Sequence, residues 1–257
     1  MLGRLFIPLC LGALLQAQVQ TPQMGTVRCL DGSVHPVYGV PASFVLGKPA
    51  MQSIDAASFS SGGGIVSAKG QIQLFDPKGV LISEFEANDP AALVNIDGSA
   101  NTAVAWLPGS QSIVHWDGTL FLRTNAPEQI HGKVTSIRRD GDNARLLVFD
   151  GDAVMDVTLS LASGDAISVL PVPGVQTAAF QQDSYVVFHD SDGLEVEGTD
   201  SVRRTVALQA ADLSIERMAA GWLHVMSPAA RQHWALHITA TSVDLFELPS
   251  APAGSTK

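Results

Sequence analysis

The chain has 257 residues and a formal net charge of −10, because 25 Asp and Glu outnumber 15 Lys and Arg. Phosphate backbones attract basic surfaces, so this acidic composition argues against nucleic acid as a partner. The length is that of one all-β domain of ordinary size.

The first residues have the layout of a secretory signal peptide. Arg4 precedes an apolar run from Leu5 to Leu15, and polar residues follow. The run is much shorter than the roughly 20 residues of a membrane-spanning helix. We therefore predict that residues 1–17 are removed, that no transmembrane segment remains, and that the protein is periplasmic or secreted. Only Cys29 is then left, and we interpret it as a small buried hydrophobe.

The first predicted strands are short and are interrupted by proline. They cover residues 26–30, 34–38 and 42–46. They form either an abbreviated blade or a strand that closes a ring. Pro36 and Pro41 predict edge positions, since proline lacks the N–H that a central strand donates.

From residue 52 onward, one unit recurs five times with a period of about 40 residues, which is the range of propeller blades. Each unit has four apolar strands separated by turns rich in Gly, Asp and Asn. The second strands of the five units cover residues 64–68, 102–106, 144–148, 184–188 and 221–225. The pair Asp117-Gly118, between two apolar alternations, is typical of a hairpin turn.

The pattern as a whole predicts an all-β fold. No apolar stripe with helical spacing persists along the chain, which disfavours alternating helices and strands. A small sheet with two apolar faces cannot bury both alone, so the units must stack around an axis. The sequence predicts a β-propeller of five complete four-stranded blades plus an N-terminal partial blade, giving five to six blades. We expect one domain over residues 24–249 and a disordered tail over 250–257.

Two kinds of turn carry a resemblance to a known repeat. The turn at 97–101, with the sequence Asp-Gly-Ser-Ala-Asn, joins the first two strands of its unit, and Asp-x-x-Gly at 76–79 joins the last two of another. Over most of 52–249 these motifs resemble the bacterial propeller repeats of the YVTN and WD40-like kind. The resemblance implies an exported, rigid platform for binding, and it transfers no catalytic residue to this chain.

The tryptophans fall at matching places in two of the units. They occupy second and third strands, where we expect them to fill the space between blades. They are Trp106, Trp116, Trp222 and Trp234.

Three histidines lie close together in the last unit: His224, His233 and His237. On one strand His233 and His237 face the same side, and the register of the hairpin decides whether His224 joins them. Two interpretations stay open at this point, a three-histidine zinc site and stacked strand histidines.

Other chemistry has no recognisable motif. The acidic turns at 140–143, 150–152 and 190–193 have the composition of ordinary turns and lack the spacing of a calcium loop. No Gly-x-Ser-x-Gly or His-Glu-x-x-His motif occurs in the sequence. Dispersed Ser, His and Asp residues are still free to converge in the fold. We therefore predict no catalytic, metal-binding or cofactor-binding residue and no cofactor.

The leading functional hypothesis is a non-enzymatic module that binds a protein, peptide or envelope component on one face of the ring. We place that face at the turns between second and third strands, where acidic residues favour a basic partner or a cation. The candidate residues are Asp150, Asp152, His189, Asp190, Asp192 and Arg231. One alternative is a metal-assisted hydrolase with its site at the central channel. A third hypothesis is a permanent scaffold in an envelope assembly.

Overall fold

A computed structural model describes residues 21–89, 92–127 and 130–250 as six antiparallel sheets. We number these sheets blades 1 to 6 in chain order. Blade 1 contains β1 (Gln23–Arg28), β2 (Val34–Val40) and β3 (Ser43–Leu46). Blade 2 contains β4 (Ala56–Ser60), β5 (Gly63–Ala68), β6 (Gln71–Phe75) and β7 (Leu81–Glu86). Blade 3 contains β8 (Leu93–Asn95), β9 (Val104–Leu107), β10 (Ser112–Trp116) and β11 (Phe121–Asn125), with a 3-10 turn at Ala100–Thr102.

The remaining blades repeat the same plan. Blade 4 contains β12 (Lys133–Asp140), β13 (Asn143–Phe149), β14 (Val154–Ser160) and β15 (Ala166–Pro171). Blade 5 contains β16 (Ala179–Gln182), β17 (Tyr185–Asp190), β18 (Gly193–Glu197) and β19 (Arg203–Val206). Blade 6 contains β20 (Ser214–Ala219), β21 (Trp222–Ser227), β22 (Gln232–Ile238) and β23 (Val243–Glu247). The prediction of five four-stranded blades and a partial N-terminal blade is confirmed.

Six apolar clusters close the blades into a ring, one between each pair of neighbouring blades. Between blades 2 and 3, Ile65 packs with Val114. Between blades 6 and 1, the Trp222 ring lies 5.9 Å from the Phe44 ring in an edge-to-face contact. Each sheet therefore buries both faces against its neighbours, and the fold is a six-bladed β-propeller.

In each four-stranded blade we label the strands A to D from the hub to the rim. The A strands β20, β4, β8, β12 and β16 contact one another in this order around the hub. Hydroxyl groups join some of them, since Ser58 of β4 accepts a hydrogen bond from the Ile96 N–H and Ser136 of β12 accepts one from the Gln181 N–H. We call the face with the A-to-B and C-to-D turns the AB face, and the opposite face the BC face.

Blade 1 lacks the A strand. Its innermost strand, β1, contacts both β20 and β4. Two contacts give the direction of β1 relative to β20. Gly25 lies against Met218, whereas Arg28, later in β1, pairs with Glu216, which comes earlier in β20. β1 therefore runs against the direction of β20, as a B strand does, and β1, β2 and β3 correspond to B, C and D. The ring therefore contains six sheets, but only five of them contribute an A strand at the hub.

The prediction of edge positions is wrong for Pro36, which lies in β2, the middle strand of blade 1. The ladder between β2 and β3 begins only at Val37. The Pro36 carbonyl accepts a hydrogen bond from the Gly47 N–H just beyond that ladder. The proline nitrogen points to the same side, where no strand needs a donor, so the middle position is tolerated.

Two predictions about core residues are confirmed. The side chains of all four tryptophans are buried between blades. Cys29 is buried too, and desolvation raises the pKa of its thiol to about 11, which is the behaviour of an inert hydrophobe. The predicted signal peptide and most of the predicted tail lie outside the described residues, and both stay predictions.

Candidate functional site

A cleft of about 710 Å³ lies between blade 1 and blade 2 and opens at the AB face. This volume is within the usual range of ligand pockets. Its walls come from β1, from the A-to-B and C-to-D turns of blade 2, and from the end of β20 with the turn that follows it. The largest lining side chains are Met24, Met51, Phe59, Phe75, Met218 and Trp222.

The cleft exists because blade 1 lacks an A strand that would widen its sheet at the hub. β1 instead leans on β20, where a Cβ at Gly25 would lie 2.7 Å from the Met218 carbonyl oxygen, so only glycine permits this approach. On the blade 2 side, Phe59 and Phe75 stay half-buried. Methionine and aromatic side chains form an adaptable apolar lining that suits ligands of irregular shape.

The polar groups of the cleft lie at its rim. Asp76 uses its carboxylate to accept hydrogen bonds from the backbone N–H groups of Lys78 and Val80 in the C-to-D turn. Ser60 and Ser61 border the opening on the other side. Among the lining residues, Asp76 and Lys78 have the only ionisable side chains, so the interior offers dispersion and apolar burial and no charge.

A charged cluster lies beside the cleft, on the hub side of β20. We call it the hub cluster, and it consists of Asp97, Arg138, Gln182, Asp183 and Arg217. Arg217 is 3% exposed and pairs with the carboxylates of Asp97 at 3.1 Å and Asp183 at 2.8 Å. Arg138 donates a hydrogen bond to the Asp183 carbonyl. The cluster therefore ties blades 3, 4, 5 and 6 together at the AB face.

The two carboxylates of the hub cluster influence each other. Burial raises the pKa of Asp97, and the nearby Asp183 carboxylate raises it further, although Arg217 opposes both effects. The side chains of Asp97 and Asp183 are 37% and 42% exposed, so the negative groups lie nearer to solvent than the guanidinium of Arg217. The cluster therefore presents acceptor oxygens outward.

The structure decides between the two interpretations of the histidines. His224 pairs with Ala235, so His224, His233 and His237 face the same side of blade 6. The His237 ring, however, stacks on Trp222 at 4.2 Å, while His224 Nε2 lies 2.9 Å from His233 Nδ1. Within the described residues, no group of three or more His, Cys, Asp or Glu could hold a metal ion. The metal-assisted hydrolase is therefore not supported.

The His224–His233 pair has a fixed pattern of donors. A carbonyl can only accept, so His233 Nε2 donates to the Pro249 oxygen at 2.9 Å, and its Nδ1 accepts from His224 Nε2. Both imidazoles are then neutral. Burial lowers the pKa of both histidines, strongly for His224, where His233 adds to the effect.

A Ser, a His and an Asp do converge in blade 1, but in the wrong order for a nucleophilic triad. Ser33 Oγ lies 2.5 Å from Asp31 Oδ1 and 2.8 Å from His35 Nε2, so the serine separates the other two. In a triad the histidine occupies that central place. Ser33 and His35 are also buried, and their hydrogen bonds hold the turn between β1 and β2.

The six residues of the predicted binding face lie at B-to-C turns or beside them, in blades 4, 5 and 6. Asp150 accepts hydrogen bonds from the N–H groups of Asp152 and Ala153, which lowers its pKa and is the ordinary geometry of a turn. His189 is half-buried, and Arg231 is exposed in the last of these turns. Their role in binding stays a prediction.

Comparison with known proteins assigns a fold and no family. No family model matches the chain, and no match is found among curated proteins. A structure of the nidogen/laminin complex has a chain with a TM-score of 0.56 and 11% identity, covering 86% of this chain and 92% of that chain. The Neurospora crassa Pan2 WD40 domain (TM-score 0.43, 14% identity) covers 79% of this chain and 68% of its own. Kuenenia stuttgartiensis hydrazine synthase (TM-score 0.45, 12% identity) covers 88% of this chain and 80% of its own.

The similarity to the chain of the nidogen/laminin complex supports the β-propeller fold alone, because the identity is so low. It does not confirm that the chain is a bacterial repeat protein of the YVTN kind or that it is exported. In the part of the chain that the structure describes, no helix is both long and apolar enough to cross a membrane.

The residues of the cleft and of the hub cluster are absent from the predicted site. They come from segments far apart in sequence, and their apolar members have the periodicity of core strands. One signal was available. Arg217 is a charged residue between Glu216 and Met218 in a strand of the repeat, and a buried arginine requires acidic partners.

Proposed function

We propose that this protein is a non-enzymatic binding propeller that holds an apolar, extended segment of a protein or peptide partner in the cleft between blades 1 and 2. The observation that carries the proposal is the cleft itself, an opening of about 710 Å³ lined by three methionines and three aromatic rings. Surfaces rich in methionine adapt to different apolar side chains. The ionisable side chains of the cleft, Asp76 and Lys78, lie at its rim, and the interior that would hold the partner is apolar.

The shape of the cleft favours an extended segment. Its lining runs from Gln23 and Ser61 at the AB face to Ala50 and Met51, which lie in the link between blades 1 and 2. A peptide in extended conformation spans about 3.3 Å per residue and presents side chains alternately to the two walls. In the nidogen/laminin complex, a propeller of similar fold occurs in an assembly of two proteins, which is consistent with this role.

The proposed function includes export, which rests on the arrangement of residues 1–17. We expect the full-length gene product, expressed in a bacterium, to appear in the periplasm or medium with a mass that corresponds to cleavage after Ala17. A protein that keeps its first 17 residues in the cytoplasm would contradict export and leave the binding site unaffected.

The binding proposal is tested by selection from a displayed library of random dodecapeptides against the purified propeller. We expect enriched peptides with two or more large apolar residues. Binding of these peptides should fall at least tenfold in Ser61→Trp, because an indole at this exposed rim position covers the opening. Ser163→Trp is the matched control, since Ser163 is exposed in a C-to-D turn of blade 4 on the same face.

The two variants separate the possible results. Loss of binding in Ser61→Trp with normal binding in Ser163→Trp supports the cleft as the site. The proposal is overturned if no peptide is enriched, or if the enriched peptides bind both variants as they bind the unsubstituted protein.

A further inference from the structure

We propose that two copies of this protein associate through β15, the D strand of blade 4, so that the two strands form one antiparallel ladder at the rim. This inference goes beyond the proposed function and is independent of it, because the cleft lies between blades 1 and 2. It is carried by the exposed apolar side chains of β15, by the absence of charge along this strand, and by the backbone groups that it directs away from its own sheet.

β15 is the outermost strand of blade 4, and it exposes apolar side chains on both faces of the sheet. Ile167, Val169 and Leu170 are 60%, 52% and 61% exposed. Val169 pairs with Val157, which packs toward blade 3, whereas Leu170 pairs with Asp156 and lies on the opposite face. An exposed apolar edge of this kind is a template for pairing with another strand.

The face that carries Val169 also has an open apolar pocket. This pocket, of about 90 Å³, is lined by Val169 and Val157 of the sheet and by Pro127 and Ile130 of the link from blade 3. It continues the exposed apolar surface inward from the edge. A strand that pairs with β15 therefore covers apolar side chains in addition to extending the backbone ladder.

The charges of the D strands indicate which of them can pair with a second copy of itself. Four D strands carry charges of a single sign: β7 has Glu84 and Glu86, β11 has Arg123, β19 has Arg203 and Arg204, and β23 has Asp244 and Glu247. Self-pairing of these strands would bring like charges together, which is destabilising. β15 has no charged residue, and β3, the other uncharged D strand, has only four residues. We therefore identify the occupant of the β15 edge as a second copy of this chain.

The backbone of β15 directs a donor and an acceptor outward at Val169. The Val172 N–H donates to the Val154 carbonyl at 2.8 Å, so the backbone groups of Val172 face β14. These directions alternate along an antiparallel strand, so Leu170 also faces β14, while Val169 and Pro171 face away from it. Proline has no N–H, so Val169 supplies the outward donor at this end of the strand.

The part of β15 that is open to pairing is short. The register with β14 shifts near Ile167, which makes a bulge at one end of the strand, and Pro171 lies at the other end. Bulges and prolines limit pairing at sheet edges, and here they leave residues 168–170 between them. The shared ladder is therefore small, and the dimer is weak and reversible.

The open segment has a symmetric register centred on Val169. In this register Val169 of each copy donates its N–H to the Val169 carbonyl of the other copy, and the two valine side chains are adjacent on the pocket face. On the opposite face, Ser168 of one copy lies beside Leu170 of the other. The two-fold axis uses both edges, so the assembly closes as a dimer and does not grow into a fibre.

Sedimentation equilibrium of the purified protein at increasing concentration tests the dimer. We expect a monomer–dimer equilibrium that Val169→Lys weakens by at least about tenfold, because two ammonium groups would then be adjacent. Leu122→Lys is the matched control, since Leu122 is a 41% exposed residue of β11 and the variant gains the same charge. It should dimerise as the unsubstituted protein does. Urea denaturation of both variants verifies that they are folded.

Two further measurements locate the contact at Val169. A mixture of Val169→Lys and Val169→Glu should form a heterodimer at least as readily as the unsubstituted protein dimerises, because the register places the two opposite charges together. Hydrogen exchange of the Val169 amide should slow as the protein concentration rises. The Leu170 amide faces β14 in both states and should exchange at the same rate throughout.

The outcomes separate this inference from the proposed function. A protein that stays monomeric at the highest concentration accessible to sedimentation equilibrium overturns the inference. A dimer that Val169→Lys and Leu122→Lys affect equally also overturns it, as does exchange of the Val169 amide that does not depend on concentration. None of these results changes peptide binding in the cleft, and Ser61→Trp should dimerise normally.

Discussion

Blade 2 has two neighbours, and its two interfaces differ in kind. Toward blade 3, Ile65, Leu74 and Leu107 have no exposed surface and pack as a dry core. Toward blade 1, Met51 and Phe75 remain half-buried beside the cleft. Both sides of blade 2 carry apolar residues, so the difference arises from the partner. Blade 3 offers a full set of strands, whereas blade 1 lacks the A strand.

Blade 1 compensates on its other side with polar contacts. Arg28 forms a bidentate pair with Glu216 of blade 6, with a shortest distance of 2.6 Å. The His224–His233 pair lies at the same interface. Burial raises the pKa of Glu216, and Arg28 opposes this effect, so the carboxylate depends on its partner. Blade 1 is thus held against blade 6 by the Arg28–Glu216 ion pair in addition to the apolar cluster that contains Phe44 and Trp222.

The largest loss of stability is expected at the Arg28–Glu216 pair, which joins the incomplete blade 1 to blade 6. Arg28→Met leaves the Glu216 carboxylate in its largely buried site without a cationic partner, and we expect a loss of roughly 3–5 kcal/mol in the free energy of unfolding. Urea denaturation measures it. Arg203→Met is the control, because the Arg203–Glu197 pair is 40% and 24% exposed and should be worth less than about 1 kcal/mol. Equal losses in the two variants would contradict the importance of this contact.

Substitutions of Leu74 and Phe75, two adjacent residues of β6, allow the packing on the two sides of blade 2 to be compared. Leu74 faces the dry core, so Leu74→Ala should cost roughly 2–5 kcal/mol. Phe75 faces the cleft and is half-buried, so Phe75→Ala should cost only about 1–2 kcal/mol in spite of the larger side chain. Urea midpoints with unchanged slopes provide the measurement. A larger loss for Phe75→Ala would mean that the cleft is as closely packed as the core.

Acid should weaken the interface of blades 6 and 1. The folded pKa values of His224 and His233 lie below the unfolded value of about 6.5, so their contribution is fully present above that pH. As the pH falls further, the unfolded chain binds protons that the native pair does not. We expect a loss of about 2 kcal/mol in the free energy of unfolding between pH 7 and 5.5.

The pH dependence is assigned with a variant. His224→Gln removes one of the two titrating groups and should reduce the slope of stability against pH, measured by urea denaturation. His131→Gln, at an exposed histidine, should leave the slope as it is. A slope that does not change in His224→Gln would assign the acid sensitivity to other groups.

The smallest effect is expected at the rim of the cleft. Ser61 is exposed and serves no buried contact, so Ser61→Trp should change the free energy of unfolding by less than about 0.5 kcal/mol while it blocks the opening. Thermal unfolding of Ser61→Trp and Ser163→Trp side by side measures this. A large destabilisation by Ser61→Trp alone would show that the rim is part of the packed interface.

The number and type of strands were predictable because turn residues divide the chain at regular intervals. The five B strands occur where the repeat places them, and the tryptophans of blades 3 and 6 are buried as expected. Local signals of this kind depend only on neighbours in sequence. They carry no information about the direction of β1 relative to the hub, so the identity of the missing strand in blade 1 was not predictable.

The candidate site was beyond local reasoning for a related reason. The cleft is lined by β1, by two turns of blade 2 and by the end of β20, which are far apart in the chain. Met24 and Phe75 lie in strands whose apolar residues follow the same pattern as those of the core. This pattern does not show whether another strand packs against them. Arg217 gave one local signal, because it follows Glu216 and both are charged residues inside a strand of the repeat.

Every blade described here is made from consecutive strands, so no hydrogen-bonded ladder crosses from blade 6 to blade 1. Under tension applied between Gln23 and Glu247, the join between the first and last blades bears the load through side chains alone. Side-chain contacts rupture at smaller forces than a ladder loaded in shear. The ring should therefore open first between blade 6 and blade 1, and the individual blades should unfold only at a higher force.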